Sequence, residues 1–230
     1  AHDKVKSLTA NSDMETRITA YKEAATAAKV AARDAYLKTG GDLDEFNVQQ
    51  KVAARDSLKN AKSTKIKEHA DVKNLAPTAD EATKIAAYKK AAEAAEEEAK
   101  LAYVAAGGDA DTFNEEQESA EVSVVGDAMT ACVKSHAEVM KLTSSSTETA
   151  RQAARQAASK ACSANAKESF MKSGGDVAEF AVKKDEAQKA AIKDATVACV
   201  RDKIGASTSA NDTVAKAKEC SAIARKAFEE

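Results

Sequence analysis

The sequence repeats a glycine-glycine-aspartate motif at an interval of 67 residues. The motif occurs at Gly40, Gly41 and Asp42, again at Gly107, Gly108 and Asp109, and again at Gly174, Gly175 and Asp176. Aromatic residues keep the same register on both sides of the motif: Tyr36, Tyr103 and Phe170 before it, and Phe46, Phe113 and Phe180 after it. A fixed period of this length indicates tandem units that pack on their neighbours.

The repeat register divides the whole chain. It predicts three repeats, at residues 9–75, 76–142 and 143–211. Residues 1–8 are expected to be the tail of a preceding repeat, and residues 212–230 the first part of a fourth. The first residue is alanine rather than methionine, which favours a processed N-terminus or an edited sequence.

Each repeat is predicted to contain two long helices. The chain is rich in alanine, lysine and glutamate and has one proline in 230 residues, a composition typical of long helices. The expected helices cover residues 12–39 and 42–74, then 79–106 and 109–141, then 147–173 and 176–204. The fold class is therefore all-α, with about seven long antiparallel helices arranged as an elongated bundle with coiled-coil-like packing or as a helical solenoid.

The glycine motif reads as a stop signal followed by a start signal. The first glycine can take the left-handed conformation that closes a helix, and the aspartate can cap the helix that follows. Glu45 lies three residues after Asp42, and Glu179 three residues after Asp176, which predicts a capping box in the first and third copies. In the first helix, Ala25, Ala28 and Ala32 fall on the face expected to be buried.

No pattern of catalytic, cofactor-binding or metal-binding residues is found. The three histidines, His2, His69 and His136, occupy one repeat position, so a repeat would hold them apart rather than bring them to one metal. They are expected to lie partly exposed near helix C-termini. The acidic residues after the glycine pairs lack the spacing of an EF-hand loop, and helix capping explains them. We therefore expect a protein that is not an enzyme.

Charge and hydropathy exclude two further classes. The formal net charge is −2 at pH 7, so the basic surface expected of a nucleic-acid-binding protein is absent from the composition. No apolar run has the length of roughly 18–20 residues that a transmembrane helix needs.

The four cysteines all lie in the second half of the chain. Cys132 and Cys162 lie on opposite sides of one predicted linker, and Cys199 and Cys220 on opposite sides of the next. Their offsets from these linkers would bring each couple together across an antiparallel helix pair, which predicts disulfides Cys132–Cys162 and Cys199–Cys220. The alternative is four buried free thiols in a reducing compartment.

Disulfides favour an oxidising compartment, and one further motif agrees. Asn211, Asp212 and Thr213 form a glycosylation sequon in a predicted linker. The expected location is secreted, or the lumen of a secretory or extrusive organelle.

Two functions from different classes fit these observations. The first is a structural or scaffold protein that assembles with itself or with other protein subunits through its repeat faces. The second is a binding module that holds a partner helix or an apolar ligand in a groove between helices. The aligned aromatic residues, including Tyr21 and Tyr88, would line such a groove, although a role as core anchors in an alanine-rich seam is favoured for them.

Overall fold

The chain is all-helical in the residues that the structure describes. A computed structural model of the protein describes residues 2–9, 11–143, 145–203 and 210–229. These residues contain ten α-helices that pack together and no strand. Seven of the ten helices have 20 residues or more, and three are short.

The ten described helices are numbered in the order in which they occur along the chain. Their bounds are α1 His2–Lys6, α2 Met14–Lys38, α3 Leu43–Glu68, α4 Ala70–Lys73, α5 Glu81–Ala105, α6 Phe113–Ser135, α7 Ala137–Met140, α8 Glu148–Lys172, α9 Phe180–Lys203 and α10 Ala210–Glu229. Single 3₁₀ turns over Ala110–Thr112 and Val177–Glu179 precede α6 and α9.

Aspartate caps determine where α2 and α5 begin. Asp13 accepts a hydrogen bond from the Thr16 backbone N–H at 2.8 Å, and Asp80 accepts the equivalent bond from Thr83 at 2.7 Å. These bonds, made to the ionised carboxylate, hold the pKa of both aspartates below the ordinary value. Both helices therefore start with a satisfied backbone donor and a carboxylate at the positive end of the helix dipole.

The second helix of the first and second predicted repeats is interrupted, which the sequence analysis did not anticipate. His69 has extended backbone angles (φ −62°, ψ 136°) and separates α3 from α4, and His136 separates α6 from α7 in the same way. Each imidazole Nδ1 accepts a hydrogen bond from the backbone N–H two residues later, at 3.3 Å in Asp71 and 3.4 Å in Glu138. These two histidines are thus N-caps of a short helix. The side chain of His2 lies outside the described residues.

The chain divides into two compact units, and each has its own core. The first unit contains Ala1–Glu121 and Met171–Asp176. In it, α5 packs against both α3 and α2. One cluster joins Leu58 of α3 to Ala99 and Val104 of α5 and to Phe113 of α6, and another joins Ile66 of α3 to alanines of α5. Because these partners are alanines, α3 and α5 can approach closely.

The second unit contains Val122–Phe170 and Val177–Glu230. Its described core joins Val125 of α6, Ala166 and Phe170 of α8, and Phe180 and Ala187 of α9. In the same unit, α9 packs against α10. Of the aromatic residues expected either in a core or in a groove, Tyr103 and Phe170 are buried, and Tyr21 and Tyr88 pack against clusters of the first unit. Tyr36 is partly exposed and packs on Phe46.

The predicted burial of one face of α2 is wrong in part. Ala25 is buried, but Ala28 and Ala32 are exposed. The equivalent alanines of α5, Ala95 and Ala99, are fully buried because Leu58 and Ile66 of α3 pack in the same clusters. The helical period was read correctly, but periodicity alone does not show whether a neighbouring helix covers the apolar face.

Candidate functional site

The glycine motif forms a tight turn at each of its three positions. Gly40, Gly107 and Gly174 have φ angles of 86°, 92° and 91°, which strain any residue that carries a Cβ. No other residue among those described has a positive φ. The first glycine of each motif therefore reverses the chain after a long helix, as its position predicts.

The second glycine gives room to an aromatic ring. A Cβ on Gly41 would collide with the ring of Tyr36, and one on Gly108 with the ring of Tyr103. The same rings pack against the phenylalanine that opens the next helix, with centroids 5.8 Å apart for Tyr36 and Phe46 and 6.0 Å apart for Tyr103 and Phe113. Phe170 and Phe180 form the third pair, also at 6.0 Å. Each turn is thus closed by a pair of aromatic side chains.

The first turn does not form the reciprocal capping box expected from its sequence. The Asp42 side chain accepts hydrogen bonds from the backbone N–H groups of Asp44 and Glu45, at 2.9 and 3.0 Å. The Glu45 side chain, however, accepts a hydrogen bond from the Tyr36 hydroxyl at 2.9 Å and another from Gln49. The bond to Glu45 raises the pKa of Tyr36 above its ordinary value. In the second turn Tyr103 bonds Thr112 instead, at 3.1 Å.

A lysine from an earlier helix reaches the capping aspartate of the second and third turns. Lys22 of α2 contacts Asp109 at 3.4 Å, and Lys89 of α5 contacts Asp176 at 3.4 Å. The two lysines are 67 residues apart, as are the two aspartates. The pKa of Asp109 is lowered by the backbone hydrogen bond from Asp111 and then by Lys22. Exposed pairs of this kind contribute little energy, but they show the same contact at equivalent positions.

The surroundings of the three turn glycines differ. A Cβ placed on Gly174 would lie 2.8 Å from Ala92, 2.8 Å from Lys62 and 2.9 Å from Ile66. A Cβ on Gly107 would meet only Gln50, at 3.2 Å, and one on Gly40 would meet nothing within 4 Å. The end of α3 therefore packs over the third turn, whereas the first two turns have no such cover.

An open groove of about 450 Å³ lies beside the second turn. Its walls come from α2, the start of α3 and the turn itself. Lys22, Lys29 and Arg33 supply positive charge, and Val30 and Leu43 supply exposed apolar surface. Lys22 is paired with Asp109 and Arg33 with Asp34, so part of this charge is neutralised within the chain.

Glu116 is the centre of a partly buried ion cluster between α3 and α6. Its side chain is 7% exposed and contacts Lys51 at 2.8 Å and Arg55 at 2.7 Å. Burial raises the pKa of Glu116, but the hydrogen bonds from Lys51 and Arg55 outweigh burial, and the net pKa is below the ordinary value of 4.5. Sequence analysis missed this cluster. The spacing of Lys51 and Arg55 places them on one helix face, but nothing in the sequence shows which helix faces them.

The described residues contain no group of three or more histidine, cysteine, aspartate or glutamate side chains positioned to hold a metal ion. Nor does any described helix combine the length and apolar character needed to cross a bilayer.

The structure contains both predicted disulfides. Cys132 of α6 is bonded to Cys162 of α8, and Cys199 of α9 to Cys220 of α10, with Cα–Cα distances of 5.7 Å in each. Cys162 and Cys220 are fully buried. Each bond joins a helix to the next long helix across one of the predicted linkers. The free-thiol alternative is not what the structure shows.

The sequon residue Asn211 lies in the first turn of α10 rather than in a linker, and its side chain lies outside those described. Comparison of the chain with protein-family models, curated proteins and solved structures found no match.

Proposed function

We propose that this chain is a non-enzymatic structural or scaffold protein, a segment of an alanine-rich array of tandem 67-residue helix-pair repeats. In this proposal the repeats stack as an open helical solenoid and the array assembles with itself or with other protein subunits. Positions on α2, α5 and α8 that are 67 residues apart would then face the same kind of neighbour.

The observation that carries the proposal is the recurrence of one long-range contact. Lys22 reaches Asp109, and Lys89 reaches Asp176, across the same sequence separation of 87 residues and at the same distance. The closed aromatic turns recur at the same interval. The recurring lysine–aspartate contacts and the aromatic pairs at the turns are thus interactions that would join one repeat to the next.

The disulfides support a place for this scaffold in an oxidising compartment. Cys132–Cys162 and Cys199–Cys220 would not persist in a reducing cytosol. We therefore propose that the protein is secreted or stored in the lumen of a secretory or extrusive organelle.

Sedimentation over a wide range of protein concentrations, with negative-stain images of the same samples, tests the proposal. The expected result is a set of species that grow with concentration and are seen as ordered rods or oligomers. A compact monomer at every concentration would contradict self-assembly.

The open groove beside the second turn favours a second candidate, a binding module for an amphipathic anionic ligand or a partner helix. Lys29 and Arg33 lie beside Val30 and Leu43 there, so charge and apolar surface are adjacent. Native mass spectrometry of protein purified from its source distinguishes the candidates. A bound molecule of fixed mass supports the binding module, and its absence together with concentration-dependent assembly supports the scaffold.

A further inference from the structure

One face of α2 differs in exposure from the same face of its counterparts. We define the α2 stripe as Ala24, Ala28 and Ala32. The residues 67 positions later, on α5, are Ala91, Ala95 and Ala99, which are 1%, 1% and 0% exposed. The residues another 67 positions later, on α8, are Ala158, Cys162 and Ala166, which are each 0% exposed. On α2, Ala24 is half-buried and the other two alanines are exposed.

The preceding second helix buries this face on α5 and α8. On α5, Leu58 and Ile66 of α3 lie in the clusters that contain the equivalent alanines. On α8, the middle position is Cys162, which is covalently bonded to Cys132 of α6. A stripe of alanines alone would not define a docking surface. Here two internal examples show which kind of helix occupies it, and one of them is fixed by a disulfide.

The turn beside the stripe shows the same difference. At Gly174, Lys62 and Ile66 of α3 lie within 3 Å of the position of a Cβ. At Gly107, the only atom within 4 Å of that position belongs to the side chain of Gln50, and the open groove of about 450 Å³ lies beside this turn. The space that α3 occupies beside the third turn is thus open beside the second.

The short helix α1 packs on α2 as the short helix α4 packs on α5. Lys4 of α1 contacts Glu23 of α2 at 2.7 Å, and the equivalent residues Asp71 of α4 and Lys90 of α5 are also 2.7 Å apart. On α5, this position is taken by α4, which follows α3 directly after the break at His69. On α2, the same position is taken by α1.

We propose that the α2 stripe and its adjoining groove are the docking surface for one occupant, a helix of the α3 type supplied by another repeat of the array. Such a helix has apolar residues at the positions of Leu58 and Ile66 and a long basic side chain at the position of Lys62. This inference rests on the proposed scaffold function, because it names the partner that a repeat array would present at this surface.

The test adds the occupant to the full chain. A copy of residues 42–67 is placed directly before Ala1, so that it runs into α1 as α3 runs into α4. In the added copy the residue equivalent to Lys65 is replaced by cysteine, and Ala28→Cys is made in the chain. The two new cysteines lie two repeat periods before Cys132 and Cys162, so they occupy the positions that form a disulfide there.

After oxidation with oxidised glutathione, a non-reduced digest is analysed by mass spectrometry. The expected result is a disulfide between the added cysteine and Ala28→Cys. The matched control is Ala27→Cys, because Ala27 and its α5 counterpart Ala94 are both exposed. Its yield should be at least about tenfold lower, since cysteines whose Cβ vectors point apart do not bridge. Equal yields at the two positions, or none at Ala28, would overturn the proposal.

Thermal unfolding gives an independent measure. The added helix should raise the melting midpoint by roughly 5 °C or more, because burying apolar surface stabilises the folded state. Ala28→Lys should abolish this rise and Ala27→Lys should leave it intact. An equal effect of the two lysines would contradict docking on the stripe.

Two further samples keep the result interpretable. If the extended chain does not fold, a synthetic peptide of residues 42–67 with Lys65→Cys is oxidised with the Ala28→Cys chain in trans, and the same preference over Ala27→Cys is required. The pair Lys65→Cys and Ala95→Cys within the natural chain is the positive control.

Sedimentation of the natural chain separately tests self-assembly, so a chain that stays monomeric yet forms the Ala28 disulfide rejects self-assembly and supports the docking surface. A disulfide-linked dimer of Ala28→Cys chains would instead show that α2 of a second copy covers the stripe, and this result would overturn the proposal.

Discussion

Replacing the first glycine of each turn by alanine separates backbone strain from packing. Gly40, Gly107 and Gly174 share nearly the same φ, so alanine should cost each of them a similar strain of about 1–2 kcal/mol. The loss of unfolded-chain entropy on replacing glycine offsets roughly 0.4–1 kcal/mol of that strain. Gly40→Ala, which meets nothing within 4 Å, should therefore lower the free energy of unfolding by roughly 0–1.6 kcal/mol.

Gly174→Ala carries an additional packing cost. Its Cβ would lie 2.8–2.9 Å from atoms of Lys62, Ile66 and Ala92. The lysine and isoleucine ends can rotate away, but the Ala92 Cβ is fixed to the backbone of α5. Overpacking of this kind costs about 1–3 kcal/mol beyond the strain. Gly107→Ala should fall close to Gly40→Ala, because only the flexible end of Gln50 is near it.

Urea unfolding followed by far-UV circular dichroism measures the three free energies, with m-values compared to check that the transitions are equivalent. A double-mutant cycle with Ala92→Gly tests the cause: the cost of Gly174→Ala should be smaller in the Ala92→Gly background. Equal losses for all three glycines would refute the argument, since they would show that φ alone sets the cost.

Three further predictions concern the cross-links and the ionised groups. Replacing Cys132 and Cys162 together by alanine should lower the free energy of unfolding by about 3–4 kcal/mol, because the bond closes a separation of 30 residues; urea unfolding should show no such difference once both proteins are reduced. Glu116→Gln should cost on the order of 2 kcal/mol at neutral pH. Because the pKa of Glu116 is lowered in the folded state, its contribution to the free energy of unfolding is present above about pH 4.5 and is lost as the pH falls through the folded pKa. The unfolding curves of Glu116→Gln and the natural protein should therefore converge in acid. A difference that stays constant with pH would contradict this assignment. Glu45→Gln should lower the pKa of Tyr36 toward 10.0 in an NMR titration, and an unchanged pKa would show that the hydrogen bond is not its cause.

The turns were predictable from sequence because their cause is local. A glycine pair, an aspartate and flanking aromatic residues determine the turn within about ten residues, and the structure has the expected left-handed glycines. The disulfide pairing was also predictable, because offsets from a linker translate directly into positions along an antiparallel helix pair. The all-helical class follows from composition and from the lack of breaks.

What the sequence did not predict depends on which helices meet. The cluster around Glu116 needs α3 and α6 to face each other, and these helices belong to different predicted repeats. The exposure of Ala28 and Ala32 depends on whether a neighbour covers α2. The breaks at His69 and His136 were missed because an Nδ1 that accepts a backbone N–H is an uncommon cap, and histidine was read only by its charge.

One recurring contact distinguishes a packing role from a ligand site. Lys4 pairs with Glu23, and 67 residues later Asp71 pairs with Lys90. The charge at each of the two positions therefore changes sign from one pair to the next, while the contact between them is kept. A site for a charged ligand would need one sign at each position, whereas a contact between two helices needs only that the signs be opposite. The four side chains are 41–67% exposed, so the pairs contribute little energy. What recurs is the placement of a short helix against the next long one, which is the relation that an array of repeats requires.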